Sequence, residues 1–457
     1  MLDEHAKVIV KTPCGPTDQF ELNKIVMQGT VFGPNKCSIQ IDSLGRDCLA
    51  NGDGVYGYKD VVDVPALSMV DDILGITSCG DESVKLNSII NAKIESKKLR
   101  LSGIKCFKIH ISKSEKSCLV KLKAHENQIN EVKSAPYLGD IINEKGNIDD
   151  TIASRKTKSI GIISQIMSIL NSVSLGMFYM DVALILRDSM FLNGILTNCE
   201  IWYNIKEEHV KTLEVADNDL MRKIFNAHSK TGTELFFLEA GKIPIRFMIS
   251  KRRLMYLWHI LKQDGKELIK KIYNVQKVKF TKGDWYEMIQ NEKKKYQINL
   301  EDDEISEMSK KKFKNIIEKK VNEVAFKFLK EKATNHSKSV DILDEIKARN
   351  THSRKTYLKE NVLPKTDCQL LFSMRTKMID VKANFKNLYG DDLTCRTCKK
   401  EGSFENENHL LKCDKLKNEA SDVVFEDCFK NLEQQTKAIK VFKVILRKRE
   451  LLLKYEE

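Results

Sequence analysis

The amino-acid sequence predicts an α+β fold, in which a mixed N-terminal part precedes a mostly helical part and a small metal-binding segment. Up to about residue 145, short apolar runs separated by glycine and proline alternate with runs at helical spacing. From Gly146 onward, apolar residues recur three and four positions apart, as in amphipathic helices. Further along the chain, two closely spaced cysteines precede a histidine and a third cysteine, a pattern typical of zinc sites.

The length and charge of the chain narrow the class of protein. Its 457 residues are enough for two or three domains, and an apolar fraction of 42% indicates a globular chain rather than a disordered one. Lysine and arginine (77) exceed aspartate and glutamate (64), so the net charge is +13. This excess favours a polyanionic partner, nucleic acid before membrane. The alternative is a basic protein with no such partner.

The cysteines and the apolar runs bear on the compartment. Most of the twelve cysteines stand singly in apolar surroundings, which suits a reducing compartment. The N-terminus has no apolar segment of the signal-peptide kind, and no apolar run approaches transmembrane length. We therefore expect a soluble, intracellular protein with no membrane partner.

The elements expected in the N-terminal part alternate between extended segments and helices. In chain order they are a strand over residues 6–12, a glycine-punctuated loop over 26–34, a helix over 35–50, a hairpin over 66–76, a helix over 82–99, and strands over 106–111, 118–122 and 134–142. The helices follow from apolar residues at helical spacing, such as Leu86, Ile89 and Ile90. The strands follow from short apolar runs bounded by turn residues.

After Gly146 we predict a succession of amphipathic helices. Their apolar faces fall within residues 160–170, 184–192, 213–225 and 249–260. Residues 262–360 are highly charged, yet Phe313, Ile317 and Val321 continue an apolar stripe, which indicates an amphipathic helix rather than disorder. The lysine runs at 293–295 and 310–312 are interpreted as solvated helix faces.

Two adjacent carboxylates, Asp71 and Asp72, lie between short apolar runs, with Pro65 and Gly75 on either side. Burying an unpaired carboxylate costs at least several kcal/mol, so we expect a cation to meet them. Mg²⁺ is a suitable cation because it is typically held by one or two carboxylates plus substrate phosphates. The alternative is a solvated hairpin tip that carries two acids.

Four motifs in this order resemble the reverse transcriptase of non-LTR (LINE-type) retrotransposons. They are Gln28-Gly29 with Gly33-Pro34, which resembles the Gln-Gly…Ser-Pro motif of the palm; Met69-Val-Asp-Asp72, which resembles the aromatic-Ala-Asp-Asp box; residues 97–106, which resemble the next palm motif; and Tyr137-Leu-Gly139, which resembles the primer-grip hairpin. The helices after Gly146, including residues 194–202 and 238–246, resemble the thumb and the region that follows it. The similarity covers nearly the whole chain.

The resemblance implies RNA-directed DNA polymerase activity, with an RNA template, a DNA primer, dNTPs and two Mg²⁺ ions that stabilise the attacking and leaving oxygens. Asp71 would be a metal ligand. Asp72 would support the turn or reach the second ion, because neighbours in a strand face opposite sides. Lys105 would protonate the leaving pyrophosphate, with the nearby Lys113 as an alternative.

The resemblance also implies contacts with the template and the primer. Gln28 would hydrogen-bond the template or the nucleotide. Gly29, which has no Cβ, would let a base or sugar approach the backbone closely. Tyr137 and Gly139 would hold the primer end.

The sequence departs from the family pattern at several points. Met69 and Val70 stand where an aromatic residue and an alanine are usual. Only 27 residues precede Gln28, whereas the family's first palm motif places another metal-binding aspartate well upstream. Two ions held by one carboxylate cluster would repel each other almost unshielded. We therefore expect a 5′-truncated fragment that lacks the fingers and is inactive by itself.

The second candidate site consists of three cysteines and one histidine: Cys395, Cys398, His409 and Cys413. Three thiolates and one imidazole suit tetrahedral Zn²⁺, and four protein ligands make the site structural. LINE-type proteins often carry a similar knuckle after the thumb. The flanking lysines favour contact with nucleic acid: Lys399, Lys400 and Lys412. The alternative is four unrelated residues near helix starts.

These observations divide the chain into five expected regions. They are a partial palm (1–145), a helical thumb with the following region (146–262), a charged helical connector (263–390), the zinc knuckle (391–416) and a C-terminal helix (417–457). The expected function is that of a reverse-transcriptase fragment in the nucleus and cytoplasm. One alternative is a non-enzymatic nucleic-acid-binding protein that uses the basic helices and the knuckle. Another is an unrelated helical protein with a zinc clip.

Overall fold

Short paired strands and many helices make up the protein, so the predicted α+β class is confirmed. The computed structural model describes residues 6–22, 33–41, 43–50, 56–111, 120–335, 340–359, 361–416 and 423–454. The chain divides into two compact units. The first unit comprises Met1–Thr151, Trp202–Asn204 and His259–Gln290, and the second comprises Ile152–Ile201, Ile205–Trp258 and Asn291–Glu457.

The strands of the described ranges are two to four residues long. They are β1 (Ala6–Val8), β2 (Lys11–Thr12), β3 (Gly15–Pro16), β4 (Phe20–Leu22), β5 (Tyr56–Tyr58), β6 (Val62–Val64), β7 (Leu67–Met69), β8 (Asp72–Leu74), β9 (Phe107–Lys108), β10 (Lys123–Ala124), β11 (Asn127–Gln128), β12 (Asn130–Glu131), β13 (Ser134–Tyr137) and β14 (Asp140–Asn143). Among these residues every sheet has two strands. The pairs β1–β4, β2–β3, β5–β6, β7–β8, β10–β11 and β13–β14 are antiparallel, and β9–β12 is parallel.

Two strand predictions are confirmed only in part, since residues 6–12 form the separate strands β1 and β2, and only Phe107–Lys108 of residues 106–111 form a strand. Two others are wrong. The strand expected over 118–122 is not formed by its described residues 120–122, and β10 begins instead at Lys123. The single strand expected over 134–142 is a hairpin, in which Tyr137 pairs with Asp140 across a two-residue turn. Leu138 and Gly139 in that turn both have positive φ, 45° and 89°. Two such residues in succession match the twist of a tight hairpin, so the glycine marks a turn rather than a strand interior.

The α-helices of the described ranges vary widely in length. They are α1 (Gly33–Ile41), α2 (Ser43–Ala50), α3 (Gly80–Ser96), α4 (Asp149–Ser172), α5 (Tyr179–Leu186), α6 (Asn193–Ile195), α7 (Glu207–Phe225), α8 (Thr233–Ala240), α9 (Ile245–Lys262), α10 (Leu268–Val278), α11 (Trp285–Lys295), α12 (Asp302–Glu307), α13 (Lys310–Thr334), α14 (Val340–Ala348), α15 (Lys365–Arg375), α16 (Lys386–Tyr389), α17 (Glu407–Lys412) and α18 (Leu432–Lys454). The helices predicted over 35–50 and 82–99 are thus confirmed, the first as α1 and α2.

In the first unit, a small apolar core supports the β7–β8 hairpin. Leu44 of α2, Ala66 before β7 and Leu86 of α3 are buried together, and Ile73 of β8 packs against them. Alternate residues of a strand face opposite sides, so Ile73 anchors the hairpin while its neighbour Asp72 stays exposed. The apolar runs of the sequence therefore dock the hairpin without burying its carboxylates.

In the second unit, the apolar stripe predicted in the charged region is confirmed. Phe313, Ile317 and Val321 of α13 are all fully buried. The lysines at 310–312, on the first turn of the same helix, are exposed. A highly charged sequence thus forms a packed helix because one face carries its apolar residues.

A buried ion pair also stabilises the second unit. Arg187 begins a π-helical segment, Arg187–Leu192, and its guanidinium binds the Asp217 carboxylate of α7 through two hydrogen bonds, of 2.7 and 2.6 Å. Arg187 also donates to the Ile243 carbonyl oxygen. Both charged side chains are about 1% exposed. A pair this well bonded is strongly destabilising to break, because the remaining charge stays buried.

Candidate metal centre and carboxylate hairpin

The β7–β8 hairpin presents its carboxylates to solvent. Met69 pairs with Asp72, so Val70 and Asp71 form the two-residue turn, and both aspartates are exposed. In the described part of the chain neither aspartate forms an ion pair. The hairpin prediction is confirmed, and the exposure of both aspartates matches the alternative of a solvated tip that carries two acids. Water solvates them at the tip, so the fold needs no cation there.

Helix α1 supports the same turn. The Cys37 thiol donates a hydrogen bond to the Val70 carbonyl oxygen, with a sulfur–oxygen distance of 3.2 Å. Burial raises the pKa of the Cys37 thiol, and the nearby charge of Asp71 raises it further. The helix that begins at Gly33 thus lies beside the turn that carries Asp71.

Val70 is strained in this turn. Its φ is 59°, in the left-handed region where a β-branched residue is an outlier. The left-handed conformation costs about 1–2 kcal/mol for a residue with a Cβ. Such strain clusters at functional sites, where the surrounding structure over-determines the conformation.

Replacing Val70 by glycine is therefore expected to stabilise the hairpin locally. Relief of the strain stabilises the folded hairpin, whereas glycine also makes the unfolded chain more flexible, which opposes folding. The net gain in local stability is about 0.5–1 kcal/mol. We expect amide hydrogen exchange in β7 and β8 to slow by about two- to fivefold in Val70→Gly. Val61→Gly is the control, since Val61 is an exposed turn residue outside the positive-φ set. Faster exchange in both variants would contradict the assignment of strain to Val70.

The primer-grip candidates lie at the tip of the β13–β14 hairpin. Tyr137 is half-buried and Gly139 is exposed in the turn. Burial raises the pKa of the Tyr137 hydroxyl, and the charge of Asp72 raises it further, so this side chain lies within electrostatic range of the carboxylate hairpin. Trp202 donates an indole hydrogen bond to Asp140 of the same hairpin at 3.3 Å.

The other predicted polymerase residues are not brought to the carboxylates by the described structure. Lys105 is exposed at the end of the 3₁₀ turn Gly103–Lys105, and in the described ranges it pairs with neither aspartate. Gln28, Gly29 and Lys113 lie outside the described residues.

The metal-binding segment is built on a short antiparallel connection. Thr394 and Phe404 form a β-bridge, and the Cys395 N–H donates to the Ser403 carbonyl oxygen at 2.9 Å. The chain turns back between them, through Lys399 with φ 53° and Gly402 with φ 75°. This tight reversal places Cys395 and Cys398 on one side of the loop.

The other two ligand candidates flank the short helix α17. Asn406 caps its N-terminus by accepting a hydrogen bond from the His409 N–H at 2.7 Å. Cys413 follows the last helical residue. The four-residue spacing brings His409 and Cys413 to the same side of the helix.

The four side chains converge into one cluster. One ligand atom from each lies within 4.8 Å of those of the others, and Cys398 Sγ is 3.5 Å from His409 Nε2. Around tetrahedral zinc, bond lengths of about 2.3 Å to sulfur and 2.0–2.1 Å to nitrogen separate the two atoms by about 3.6 Å. The cluster is thus sized for a zinc ion, and among the described residues it is the group with metal-site geometry.

The electrostatics of the cluster also call for a cation. Burial opposes ionisation of Cys398, yet hydrogen bonds from the Lys400 N–H and with Ser403 and His409 outweigh it and lower the pKa to about 6. Burial raises the pKa of Cys413 to about 11, and the neighbouring thiols add to that rise. Thiolates this close repel one another, so a divalent ion lets all three ionise together.

A buried carboxylate supports the cluster from behind. Glu405 is fully buried, and it accepts hydrogen bonds from the Arg396 backbone N–H at 2.7 Å and from the Arg396 guanidinium. Arg449 of α18 donates to the same carboxylate at 2.6 Å. Glu405 therefore ties the loop between the first two cysteines to the C-terminal helix.

The chemistry of the two sites differs. The Cys₃His cluster supplies four protein ligands, which closes a tetrahedral shell and makes the site structural, without a position for a catalytic water. Asp71 and Asp72 supply only exposed carboxylate oxygens. Among the described residues, no third metal-ligating side chain joins them in a cluster.

No protein-family model matches this chain, and no curated protein matches its sequence. The candidate sites therefore stand on their own geometry. In the described parts of the chain, no helix is both long and apolar enough to cross a membrane.

Sequence reasoning missed the residues that hold the metal cluster in place. Glu405 and Arg449 are 44 positions apart, and Arg449 belongs to a lysine-rich helix that reads as solvated. The sequence offers one weak indication of this network, because Glu405 is an acid placed between Cys398 and His409 in a segment where three lysines flank the site.

Proposed function

We propose that this chain is a reverse-transcriptase-type polypeptide of a non-LTR retrotransposon, and that it binds an RNA template paired with a DNA primer. The order of the four sequence motifs supports the proposal. The observation that carries it is the β7–β8 hairpin, which holds Asp71 and Asp72 exposed at its tip while the Cys37 thiol bonds the turn. Nucleotidyl transfer requires a metal-binding carboxylate that a nucleotide and a primer end can both reach.

The roles of the residues follow from their positions. Asp71, exposed in the hairpin turn, would hold a Mg²⁺ ion together with the phosphates of a nucleotide. That ion, when bound, supplies positive charge for the phosphate oxygens that react. Tyr137 would orient the primer end, and the Cys37 thiol would keep the turn in place through its hydrogen bond to Val70.

The zinc cluster would serve nucleic-acid binding rather than chemistry. Its closed ligand set stabilises a small loop and helix next to several basic residues. An open cavity of about 460 Å³ beside the cluster is lined by three cations and one acid among other residues: Lys382, Arg396, Lys399 and Asp392. Lys382 pairs there with Asp392, and Arg396 pairs with Asp380 and Glu405, so most of this positive charge is neutralised within the protein.

A second candidate function is a nucleic-acid-binding protein without polymerase activity. One specific observation favours it: in the described ranges no third metal-binding side chain joins Asp71 and Asp72 in a cluster. Two adjacent exposed carboxylates hold two Mg²⁺ ions poorly, because the ions repel each other.

A primer-extension assay combined with a hybrid-binding assay tests polymerase activity and nucleic-acid binding separately. The chain would be incubated with an RNA template, a DNA primer, dNTPs and Mg²⁺. We expect no extension by the purified chain, together with binding of the RNA–DNA hybrid that weakens steeply with salt. We expect Tyr137→Ala to weaken that binding and Asp71→Ala to leave it within about twofold, since an exposed carboxylate adds no attraction for phosphates.

The outcomes are distinct. Extension that is lost in Asp71→Ala, but kept in the control Asp63→Ala, would show that another carboxylate completes the site and that the chain is active. Asp63 suits the control because it is an exposed acid on the neighbouring β5–β6 hairpin. Absence of both extension and salt-sensitive hybrid binding would overturn the proposed function entirely.

A further inference from the structure

The C-terminal helix α18 has two faces of opposite character. Its apolar side is buried against the rest of the second unit, with Ile439, Phe442 and Ile445 each at most 1% exposed. The opposite side is exposed and mostly basic. It comprises Lys437, Lys440, Val444, Arg447, Lys448 and Leu451, which we term the α18 stripe.

The cations of the α18 stripe are unpaired in the described structure. Lys437, Lys440, Arg447 and Lys448 form no ion pair with any described residue. Other cations of the helix differ in this respect: Lys443 pairs with Asp367, and Lys454 with Glu450. One acid lies on the face of the stripe, Glu433, one turn before Lys437.

The stripe has the dimensions of a nucleic-acid contact. Its members recur three, four and seven positions apart, so they form a straight row along one helix face. From Lys437 to Lys448 the cations extend over about 16 Å at 1.5 Å per residue. Successive base pairs rise by about 3.4 Å along a duplex axis, so the four cations extend over about five base pairs.

The row is rigidly attached to the zinc cluster. Arg449, the residue after Lys448, is buried. It donates a hydrogen bond to the buried carboxylate of Glu405, which also accepts hydrogen bonds from Arg396. Within this turn, Arg447 and Lys448 are exposed to solvent, whereas Arg449 is buried and bonds the helix to the metal-binding loop. Binding to a preorganised row of charges costs less side-chain and loop ordering than binding to a mobile tail.

We propose that the α18 stripe is a binding surface for the phosphate backbone of nucleic acid. The proposal rests on the nucleic-acid binding proposed above and assigns a surface to it. Charge complementarity favours this partner over a membrane. A helix that lies on a membrane inserts its apolar face, and in α18 that face is already buried in protein.

The test uses the full chain with three stripe cations neutralised together, Lys440→Gln, Arg447→Gln and Lys448→Gln. Binding to a fluorescent RNA–DNA hybrid would be measured by anisotropy over a range of salt concentrations. We expect affinity to fall at least about tenfold at 0.1 M salt. We also expect the slope of log affinity against log salt to shrink by about 2–3, because each lost phosphate contact removes about 0.9.

The matched control removes the same charge elsewhere, with Lys310→Gln, Lys311→Gln and Lys312→Gln on the exposed start of α13. We expect its salt slope to stay within about 0.5 of the unmodified chain. An equal loss in both triple variants would overturn the proposal, since net charge alone would then explain the binding.

Two further measurements complete the test. Zinc content and circular dichroism of the stripe variant should equal those of the unmodified chain, because all three substituted side chains are exposed. Sedimentation with vesicles of phosphatidylserine and phosphatidylcholine tests the membrane: loss of vesicle binding with unchanged hybrid binding would overturn the proposal in favour of a lipid partner. The test measures binding and not primer extension, so its result does not depend on whether the chain is an active polymerase.

Discussion

Chelation is expected to release one zinc ion per chain and to unfold the segment over residues 393–416. Structural zinc sites contribute about 10–16 kcal/mol of apparent binding free energy, which is folding free energy for a segment this small. Without the ion, a single β-bridge and the six-residue helix α17 remain, and helices this short are not stable alone. Zinc content and tryptic cleavage after Lys399, Lys400 and Lys412 would report the change.

Single substitutions test the ligand assignment. Cys395→Ser and His409→Ala are each expected to reduce the zinc content to well below one ion per chain and to open the segment to trypsin. Cys79→Ser is the control, because Cys79 is exposed and lies in the first unit. A zinc content that is unchanged in both ligand variants would refute the site.

Loss of zinc is expected to reach the C-terminal helix as well. Glu405 connects the metal loop to Arg449, so an unfolded loop leaves the buried guanidinium of Arg449 with only the exposed Asp380, at 3.7 Å, as a partner. An unpaired buried charge is strongly destabilising. We expect the amides of α18 to exchange faster after chelation, and nucleic-acid binding through the α18 stripe to weaken with them.

The substitution Asp217→Ala is expected to lower the free energy of unfolding of the second unit by about 3–5 kcal/mol. The change leaves the Arg187 guanidinium buried with only the Ile243 carbonyl oxygen and the partly exposed Asp188 as partners. Urea unfolding followed by far-ultraviolet circular dichroism would measure the loss, because the second unit contains most of the helices.

Two variants make this result specific. Asp219→Ala removes an exposed carboxylate from the same helix, where it pairs with Lys223, and is expected to cost at most about 0.5 kcal/mol. Replacing both partners, with Arg187→Met and Asp217→Leu, is expected to restore most of the stability, because apolar pairs often substitute for buried ion pairs. If Asp217→Ala alone were as stable as the unmodified chain, water would have to reach the Arg187 guanidinium, and the proposed cost of breaking the pair would be refuted.

Much of the fold could be predicted from the sequence where the signal is local. The helical spacing of Phe313, Ile317 and Val321 predicted a packed helix in a region dominated by charge, and all three are buried. The same kind of pattern misplaced the strand over 118–122 and merged the β13–β14 hairpin into one strand. A short apolar run does not distinguish one continuous strand from two strands joined by a tight turn, because both have the same composition.

The two candidate sites illustrate the difference between spacing and environment. The candidate metal ligands come as two close pairs, so the local backbone brings each pair together, and the sequence was enough to predict the cluster. The exposure of Asp71 and Asp72 could not be predicted in this way. Whether a hairpin tip faces solvent or the core depends on where Ile73 docks, and its partners in α2 and α3 come from elsewhere in the chain.

Residue type and spacing of a few positions were enough to predict the class of fold, the candidate metal ligands and the basic character of the chain. Which charges are buried and paired depends on the tertiary structure. Arg187 meets Asp217 across 30 positions, and Glu405 meets Arg449 across 44. Partners this distant are selected by the packing of whole helices, and no local pattern in the chain encodes that packing.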